Sequence, residues 1–274
     1  MDGSRGAAAK PATAARMYDY YLGGIHNFPA DQEAARKVME LFPGSREGAL
    51  ANRAFLRRAV RHLVRAGVRQ FLDIGSGIPT QGNVHEIAQR EAPGSRVVYV
   101  DIDPVAVAES MEILAGNPTA IAIRADLRSP GEILGHPALR RLLDLSQPTG
   151  LLLAAVLHFV PDDDRPYELV AELVGALAPG SYLAISHGAA EAIAAQSSGF
   201  KTAAAVYKRQ ANTSGTTRTR AEVERFFTGL DLVEPGVAWV QDWRPDPQDE
   251  QAAQAAPHRF WAAVGVKPPP ARGA

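Results

Sequence analysis

From residue 70 to residue 186, short apolar runs alternate with stretches whose apolar positions recur every third or fourth residue. Runs near 70–74, 96–101, 119–124, 150–156 and 181–186 predict strands buried on both faces, with helices between them. Such alternation predicts a parallel sheet covered on both sides. Two late runs, Leu232–Val240 and Arg259–Val266, predict the strands that close the sheet. Upstream of residue 70 the period is helical. One helix is expected over Asp31–Leu41, with Asp31 as its N-cap. Another is expected over Arg46–Ala66, where Leu50, Phe55, Leu56, Val60 and Leu63 share a stripe and Gly67 stops the helix. Thr219-Arg220-Ala221-Glu222 is a capping-box pattern for a helix ending in Phe226-Phe227. Gln196–Thr217 has weak periodicity and is expected to be a mobile segment over the site. The organisation expected is a disordered tail over 1–14, a helical cap over 15–67, a sheet domain over 68–266 and a second disordered tail over 267–274.

Composition narrows the partners. The chain has 274 residues, 46% of them hydrophobic, which is enough for one large core. Net charge is −1 and the basic residues are scattered, so no broad footprint for nucleic acid is present. With zero cysteines, disulfides, thiolate metal sites and cysteine nucleophiles are excluded. No His/Asp/Glu cluster has metal-ligand spacing, so no metal is expected. Gly150–Val160 is too short to span a bilayer, and the N-terminus has no apolar signal core. A cytoplasmic location is therefore expected.

The chemistry concentrates where strands end. Gln70–Ile74 runs into Gly75-Ser76-Gly77, a turn without Cβ atoms at two positions, so a ligand can reach the backbone. A helix starting near Thr80 would aim its unpaired N–H groups at that ligand. The dinucleotide fingerprint requires a third glycine where Thr80 stands, which counts against NAD and FAD. Asp101 follows Gly75 by 26 residues, near the separation expected of an acid that accepts both ribose hydroxyls. Asp126 ends the third strand and is placed to accept from an adenine amino group.

Asp73–Gly77 (DIGSG), Val98–Pro104 (VYVDIDP) and Ala125–Leu127 (ADL) together resemble the first three motifs of the class I S-adenosylmethionine (SAM)-dependent methyltransferases. Ala15–Gly24, Asn27–Asp31 and Phe226–Gly236 resemble one bacterial, actinobacterial-type SAM-methyltransferase family of unassigned substrate, over nearly the whole chain from Ala15 to Val266. The resemblance implies an α/β, Rossmann-like seven-stranded sheet, mostly parallel with its last strand antiparallel, plus the N-terminal helical cap. It implies SAM as cofactor, S-adenosylhomocysteine as product, and methyl transfer to a nucleophilic O or N; the absence of a basic stripe makes a small molecule the expected acceptor. A catalytically silent SAM-binding regulator and, more distantly, a nicotinamide-dependent oxidoreductase are the alternatives.

On that reading Asp73, Gly75, Ser76 and Gly77 face the methionine end, Asp101 the ribose, and Ile102, Asp126 and Leu127 the adenine. Ala155 closes the cofactor site at the end of strand four. Arg16, Tyr18 and Tyr20, ahead of Gly23-Gly24 and Asn27, form a lid, with Arg16 supplying charge to the carboxylate. His158 follows strand four and is the candidate general base. His187 ends strand five similarly and has a packing role as its plainer explanation. Asp162-Asp163-Asp164 read as first-turn acids of the next helix rather than as metal ligands.

Overall fold

A computed structural model describes residues 11–79, 82–194, 197–210, 215–247, 249 and 251–269. Three helices come first: α1 (Ala14–Tyr21), α2 (Pro29–Leu41) and α3 (Ser45–Arg65). The start of α2 differs from expectation. Pro29 opens the helix with its preset φ, and Asp31 sits two residues inside it. The Asp31 carboxylate reaches back to accept from the Phe28 N–H at 2.8 Å. α3 buries Phe55, Leu56, Ala59, Val60 and Leu63 against Phe71 and other sheet residues in one apolar cluster. Burying each of the larger side chains contributes about 1.5–3 kcal/mol, so α3 is integral to the sheet's core. α1 and α2 instead share a separate cluster around Met17, Tyr21, Ala34 and Val38.

Five parallel strands follow: β1 (Gln70–Ile74), β2 (Arg96–Asp101), β3 (Ala120–Arg124), β4 (Gly150–Ala154) and β5 (Tyr182–Gly188). Their connections carry α4 (Val84–Glu91), α5 (Pro104–Ile113), α6 (Pro130–Gly135), α7 (Pro137–Leu142) and α8 (Pro166–Gly175). After β5 come α9 (Ala190–Ala194), α10 (Ser197–Gln210) and α11 (Arg220–Glu224). The last elements are β6 (Asp231–Leu232), β7 (Ala238–Trp239), α12 (Gln251–Gln254) and β8 (Phe260–Val266).

The sheet order is β3-β2-β1-β4-β5-β8-β6, with β7 also paired to β8. β8 is antiparallel to β5, and its register sets Phe260 opposite Gly188. The sheet thus has eight strands rather than seven. The expected strand Leu232–Val240 is cut by a turn in which the Gly236 N–H donates to Val233 O and Gly236 takes φ 78°. The two short pieces on either side pair separately with β8. Strand order reverses between β1 and β4, and in open sheets the ligand crevice lies at such a switch, beyond the carboxyl ends of the strands.

Other boundaries move for identifiable reasons. α4 starts at Val84, not near Thr80, because Asn83 takes the N-cap position and Glu86 returns its carboxylate to the Asn83 N–H at 3.1 Å. Thr80 and Gln81 lie outside the described residues. Residues 11–14 are part of the fold: Ala12 is buried and Thr13 caps α1. Lys267 is also held, its Nζ donating to the carbonyls of Val174, Gly175 and Leu177 at the end of α8. Residues 1–10 and 270–274 of the expected tails lie outside the described residues. Within Gln196–Thr217 the chain forms α10, with Ala203 and Val206 buried beside α2. Small alanines on the buried side explain its weak periodicity; Gln196 and residues 211–214 are outside the described residues.

Candidate active site

The glycine turn after β1 is shaped as much by packing as by openness. Gly75 has φ 72°, and a Cβ there would stand 2.2 Å from Val156 Cγ2. Gly77 has φ 60°, and a Cβ there would meet Ala15 of α1 at an ordinary 3.8 Å. α1 therefore lies directly over the turn. The Gly77 N–H donates to Asp101 Oδ2 at 2.8 Å, and the Asp103 N–H donates to Asp101 Oδ1 at 2.9 Å. Burial raises the Asp101 pKa, and these backbone donors oppose the rise. Ser76 lies in the same turn, its hydroxyl near Gly77 O and Val100 O at 3.3 and 3.5 Å. Beside Asp101, Ile102 is 52% exposed, an apolar face left open at the carboxyl end of β2.

Arg16 does not point a free charge into this turn. Its Nε donates to Asp31 at 2.9 Å, one NH group donates to Asp103 at 3.2 Å, and the other bonds Pro11 O. The Thr13 hydroxyl adds a 2.7 Å bond to Asp103. This buried network fastens α1 and α2 to the end of β2, and breaking one partner of such a pair costs about 3–5 kcal/mol. Tyr18 is also occupied, donating to Ala49 O at 3.1 Å and accepting from Asn52 Nδ2 at 2.8 Å. Tyr20 faces α2, where Arg36 Nε donates to its hydroxyl at 3.2 Å. The Gly23-Gly24 segment is a tight turn around Asp19: a Cβ on Gly24 would fall 1.9 Å from Asp19 Oδ1. The Asp19 carboxylate accepts from the His26 N–H and from Asn27 Nδ2.

A second arginine lies near the turn with an unpartnered nitrogen. Arg53 of α3 is buried, and its Nε has no hydrogen-bond partner. Asp73, 4% exposed at the end of β1, accepts no hydrogen bond from any described residue. Burial pushes its pKa up to about 7, Arg53 pulls it down, and Asp101 pushes it up. Opposite charges that are buried, mutually felt and unbonded fit the ammonium and carboxylate of an amino-acid ligand. Arg53 was missed from the sequence. The signal was a charged residue three and seven positions before Leu56 and Val60, on the apolar stripe of α3.

At the end of β3, Asp126 is held by its neighbour. Arg128 Nε reaches both carboxylate oxygens at 3.0 Å, and Arg128 NH2 reaches Oδ2 at 2.6 Å. Partial burial raises the Asp126 pKa, but these bonds and the guanidinium charge outweigh it and lower it. An adenine amino group would have to share that carboxylate with Arg128. Leu127 is buried in the main core cluster.

The ends of β4 and β5 carry the second half of the site. Ala155 adopts φ 54°, unusual for a residue with a Cβ and costing about 1–3 kcal/mol. Its N–H is held by Ser186 O at 3.0 Å and Ser186 Oγ at 2.9 Å. The chain then turns tightly through Leu157–Phe159. His158 Nδ1 is buried without a partner. Burial first, then the charges of His187 and Arg218, push the His158 pKa down to about 3. His187 Nδ1 donates to Gly188 O at 3.0 Å, and its Nε2 accepts from Arg218 at 2.8 Å, which fixes a neutral tautomer. Its pKa is likewise pushed down to about 3, chiefly by burial.

Arg218 is the organising residue here and the sequence did not reveal it. It is fully buried and donates to Leu157 O, Val160 O, His187 and Asp162 Oδ1 at 2.6–3.2 Å. Asp162-Asp163-Asp164 form a separate turn ahead of α8, whose own first residue is Pro166. Asp162 serves Arg218 instead of the helix. Thr219 and Glu222 make the expected capping box, at 3.3 and 2.7 Å, and so fix the segment that carries Arg218. Among the described residues no cluster of His, Asp and Glu is arranged to hold a metal.

A mostly parallel sheet with one reversed strand, a switch point at β1/β4 and a glycine turn bonded to an acid after β2 define a class I SAM-dependent methyltransferase. The chain belongs to the S-adenosyl methyltransferase family, whose model matches residues 4–268. It is similar, at 43% identity and TM-score 0.85, to a DUF574 family protein from Streptomyces avermitilis, over 94% of this chain and 98% of that one. A candidate methyltransferase from Thermobifida fusca is 40% identical with TM-score 0.84, over 94% of this chain and 96% of that one. An O-methyltransferase family protein from Burkholderia thailandensis shares the fold at 14% identity and TM-score 0.52, over 87% of this chain and 63% of that one. No curated protein matches the chain. Among the described residues no helix is long and apolar enough to cross a membrane.

Proposed function

We propose that this enzyme moves a methyl group from SAM to an oxygen or nitrogen of a small-molecule acceptor. The observation that carries the site assignment is the buried, unbonded pair Asp73 and Arg53 beside the glycine turn. Asp73 takes the cofactor's ammonium and Arg53 its carboxylate, the role first expected of Arg16. Asp101 takes the ribose hydroxyls through lone pairs that its two backbone donors leave free. Ile102 lies against the adenine, with Leu127 beneath it. Gly75 and Gly77 allow backbone approach, and Ala155 with Val156 closes the far wall.

Bound SAM supplies a methyl carbon already activated by its sulfonium. The protein's share is then alignment and exclusion of water. α1 over Gly77 provides that exclusion as a lid, pinned by Thr13 and Arg16 to Asp103. His158 faces the acceptor as a neutral imidazole. With a conjugate acid of about 3 it is a weak base at neutral pH, so it orients the acceptor by a hydrogen bond and takes no proton from it.

Thermal denaturation with added ligands tests the reading. SAM or S-adenosylhomocysteine at 100 times its dissociation constant should stabilise the protein by about 2.7 kcal/mol. NAD and FAD should leave the midpoint unchanged. Stabilisation by NAD alone would overturn the assignment.

A further inference from the structure

The acceptor end has a chemical character of its own. The turn after β4, the end of β5 and the start of β8 bring three rings around His158. Phe159 lies at 4.2 Å, His187 at 5.8 Å and Phe260 at 6.1 Å between ring centroids. Tyr207 of α10 stands over Phe159 at 6.2 Å, and its hydroxyl is bonded to that of Tyr21 of α1 at 3.0 Å. Aromatic surface therefore borders this end on several sides.

Among the groups packed around His158 the formal charge is that of the buried Arg218 guanidinium. Both imidazoles are neutral, and burial holds the Tyr21 and Tyr207 hydroxyls protonated. The Arg218 guanidinium is committed to two carbonyls, His187 and Asp162. A charged acceptor would lose its hydration here and gain no counter-ion. One polar atom is left over: His158 Nδ1, buried without a partner.

We propose that this end recognises an uncharged planar aromatic acceptor that packs against Phe159, Phe260 and Tyr207 and directs one hydroxyl or ring N–H at His158. This rests on the methyl-transfer reading above. In the transfer, a lone pair of the hydroxyl oxygen, or the electron pair of the N–H bond as its proton leaves, forms the new bond to the methyl carbon. The carbon–sulfur bond breaks with its electrons going to sulfur, leaving a neutral thioether. The proton is released to water, since the imidazolium of His158 is disfavoured in this environment. Offset stacking between rings and a single satisfied polar atom together give selectivity over aliphatic alcohols of similar size.

The full-length protein saturated with S-adenosylhomocysteine is titrated with 2-naphthol, indole, 6-hydroxy-2-naphthoate and cyclohexanol, with binding followed by ligand-observed NMR. At neutral pH the naphthol is uncharged. At least one of the two neutral aromatic probes should bind at least tenfold more tightly than the carboxylate and the aliphatic alcohol. Phe159→Leu and His158→Phe should each weaken that probe by at least fivefold while S-adenosylhomocysteine affinity is retained. Equal or better binding of the carboxylate or of cyclohexanol, no binding of either neutral aromatic, or unchanged affinity in both variants overturns the proposal. Calorimetry on the same sample keeps the two readings apart: failure to bind S-adenosylhomocysteine at all defeats the methyltransferase site, not the acceptor class.

Discussion

The two ends of the crevice are built from opposite materials. Under β1 and β2 the site consists of carboxylates and an arginine, buried and incompletely bonded: Asp73, Asp101 and Arg53. Beyond β4 and β5 it consists of rings and neutral imidazoles, with the buried Arg218 committed to its neighbours. On the reading proposed above, a zwitterionic cofactor occupies the first and an uncharged acceptor the second. The difference shows what kind of site a sequence discloses. The proposed cofactor end lies in contiguous strand–turn–acid segments, so Gly75, Gly77 and Asp101 stand in order along the chain. The acceptor end draws His158, His187, Arg218 and Phe260 from distant positions, and only strand pairing brings them together. Arg218 has no motif around it beyond the capping box it precedes.

The cap shows the limit from another side. Its composition announced a special segment, but not which side chains turn inward. Arg16, Tyr18 and Tyr20 each found protein partners, and those partners, Asp31, Asp103, Asn52 and Arg36, depend on how three helices cross. The parallel sheet was legible because buried strands are continuous apolar runs. The eighth strand was not, since a two-residue strand carries no period of its own.

The largest effect expected on the contrast comes from Arg218→Ala. It strips donors from two carbonyls and His187, leaving buried acceptors unpaired at this end alone, and frees the exposed carboxylate of Asp162. Stranding buried acceptors costs about 1–3 kcal/mol each, so a loss of about 3 kcal/mol is expected, or roughly 10 °C in the melting midpoint of a domain this size. S-adenosylhomocysteine should still stabilise the variant if the two ends are independent. Loss of that stabilisation would mean that Arg218 supports the cofactor end as well.

Opposite pH slopes sharpen the comparison further. His158 and His187 have folded pKa values of about 3, far below the 6.5 of a free imidazole. Their contribution is complete above pH 6.5 and is lost as pH falls toward the folded values. Asp73 has a folded pKa of about 7, above the 3.8 of a free aspartate, so its contribution is lost as pH rises through that window. Each proton corresponds to about 1.4 kcal/mol per pH unit. Between about pH 5 and 6 two imidazoles outweigh one carboxyl, and the free protein should lose about one proton's worth of stability per unit of acidification. An ammonium bound at Asp73 ionises it and removes the opposing slope. Chemical denaturation across this range should therefore show a steeper acid loss with S-adenosylhomocysteine than without. Asp73→Asn should abolish that difference, and parallel slopes in the wild type would remove Asp73 from the ammonium.

Arg53→Gln isolates one charge at the cofactor end. Losing a charge-assisted bond costs about 1.5–3 kcal/mol, or roughly 10- to 150-fold in the dissociation constant of S-adenosylhomocysteine. Methylthioadenosine has the same adenosine but no amino-acid tail, and its affinity should change less than about twofold. Equal losses for both ligands by calorimetry would mean a general collapse of the pocket rather than a lost carboxylate contact.

The smallest effect separates the lid from its decoration. Tyr20 meets Arg36 on the outer side of the cap, a partly exposed contact of 3.2 Å, so Tyr20→Phe should change stability by less than about 0.5 kcal/mol. Tyr18 lies on the inner side, between Ala49 and Asn52. Removing its hydroxyl strands a buried carbonyl and a buried amide, at about 1–3 kcal/mol, and loosens the helix that lies over Gly77. The prediction is a pair: Tyr18→Phe weakens S-adenosylhomocysteine severalfold through α1, and Tyr20→Phe leaves it within about twofold. If Tyr20→Phe produced the larger loss, α1 would have to rotate when the cofactor enters. The bonded cap described above would then be the open state of the lid rather than its closed one.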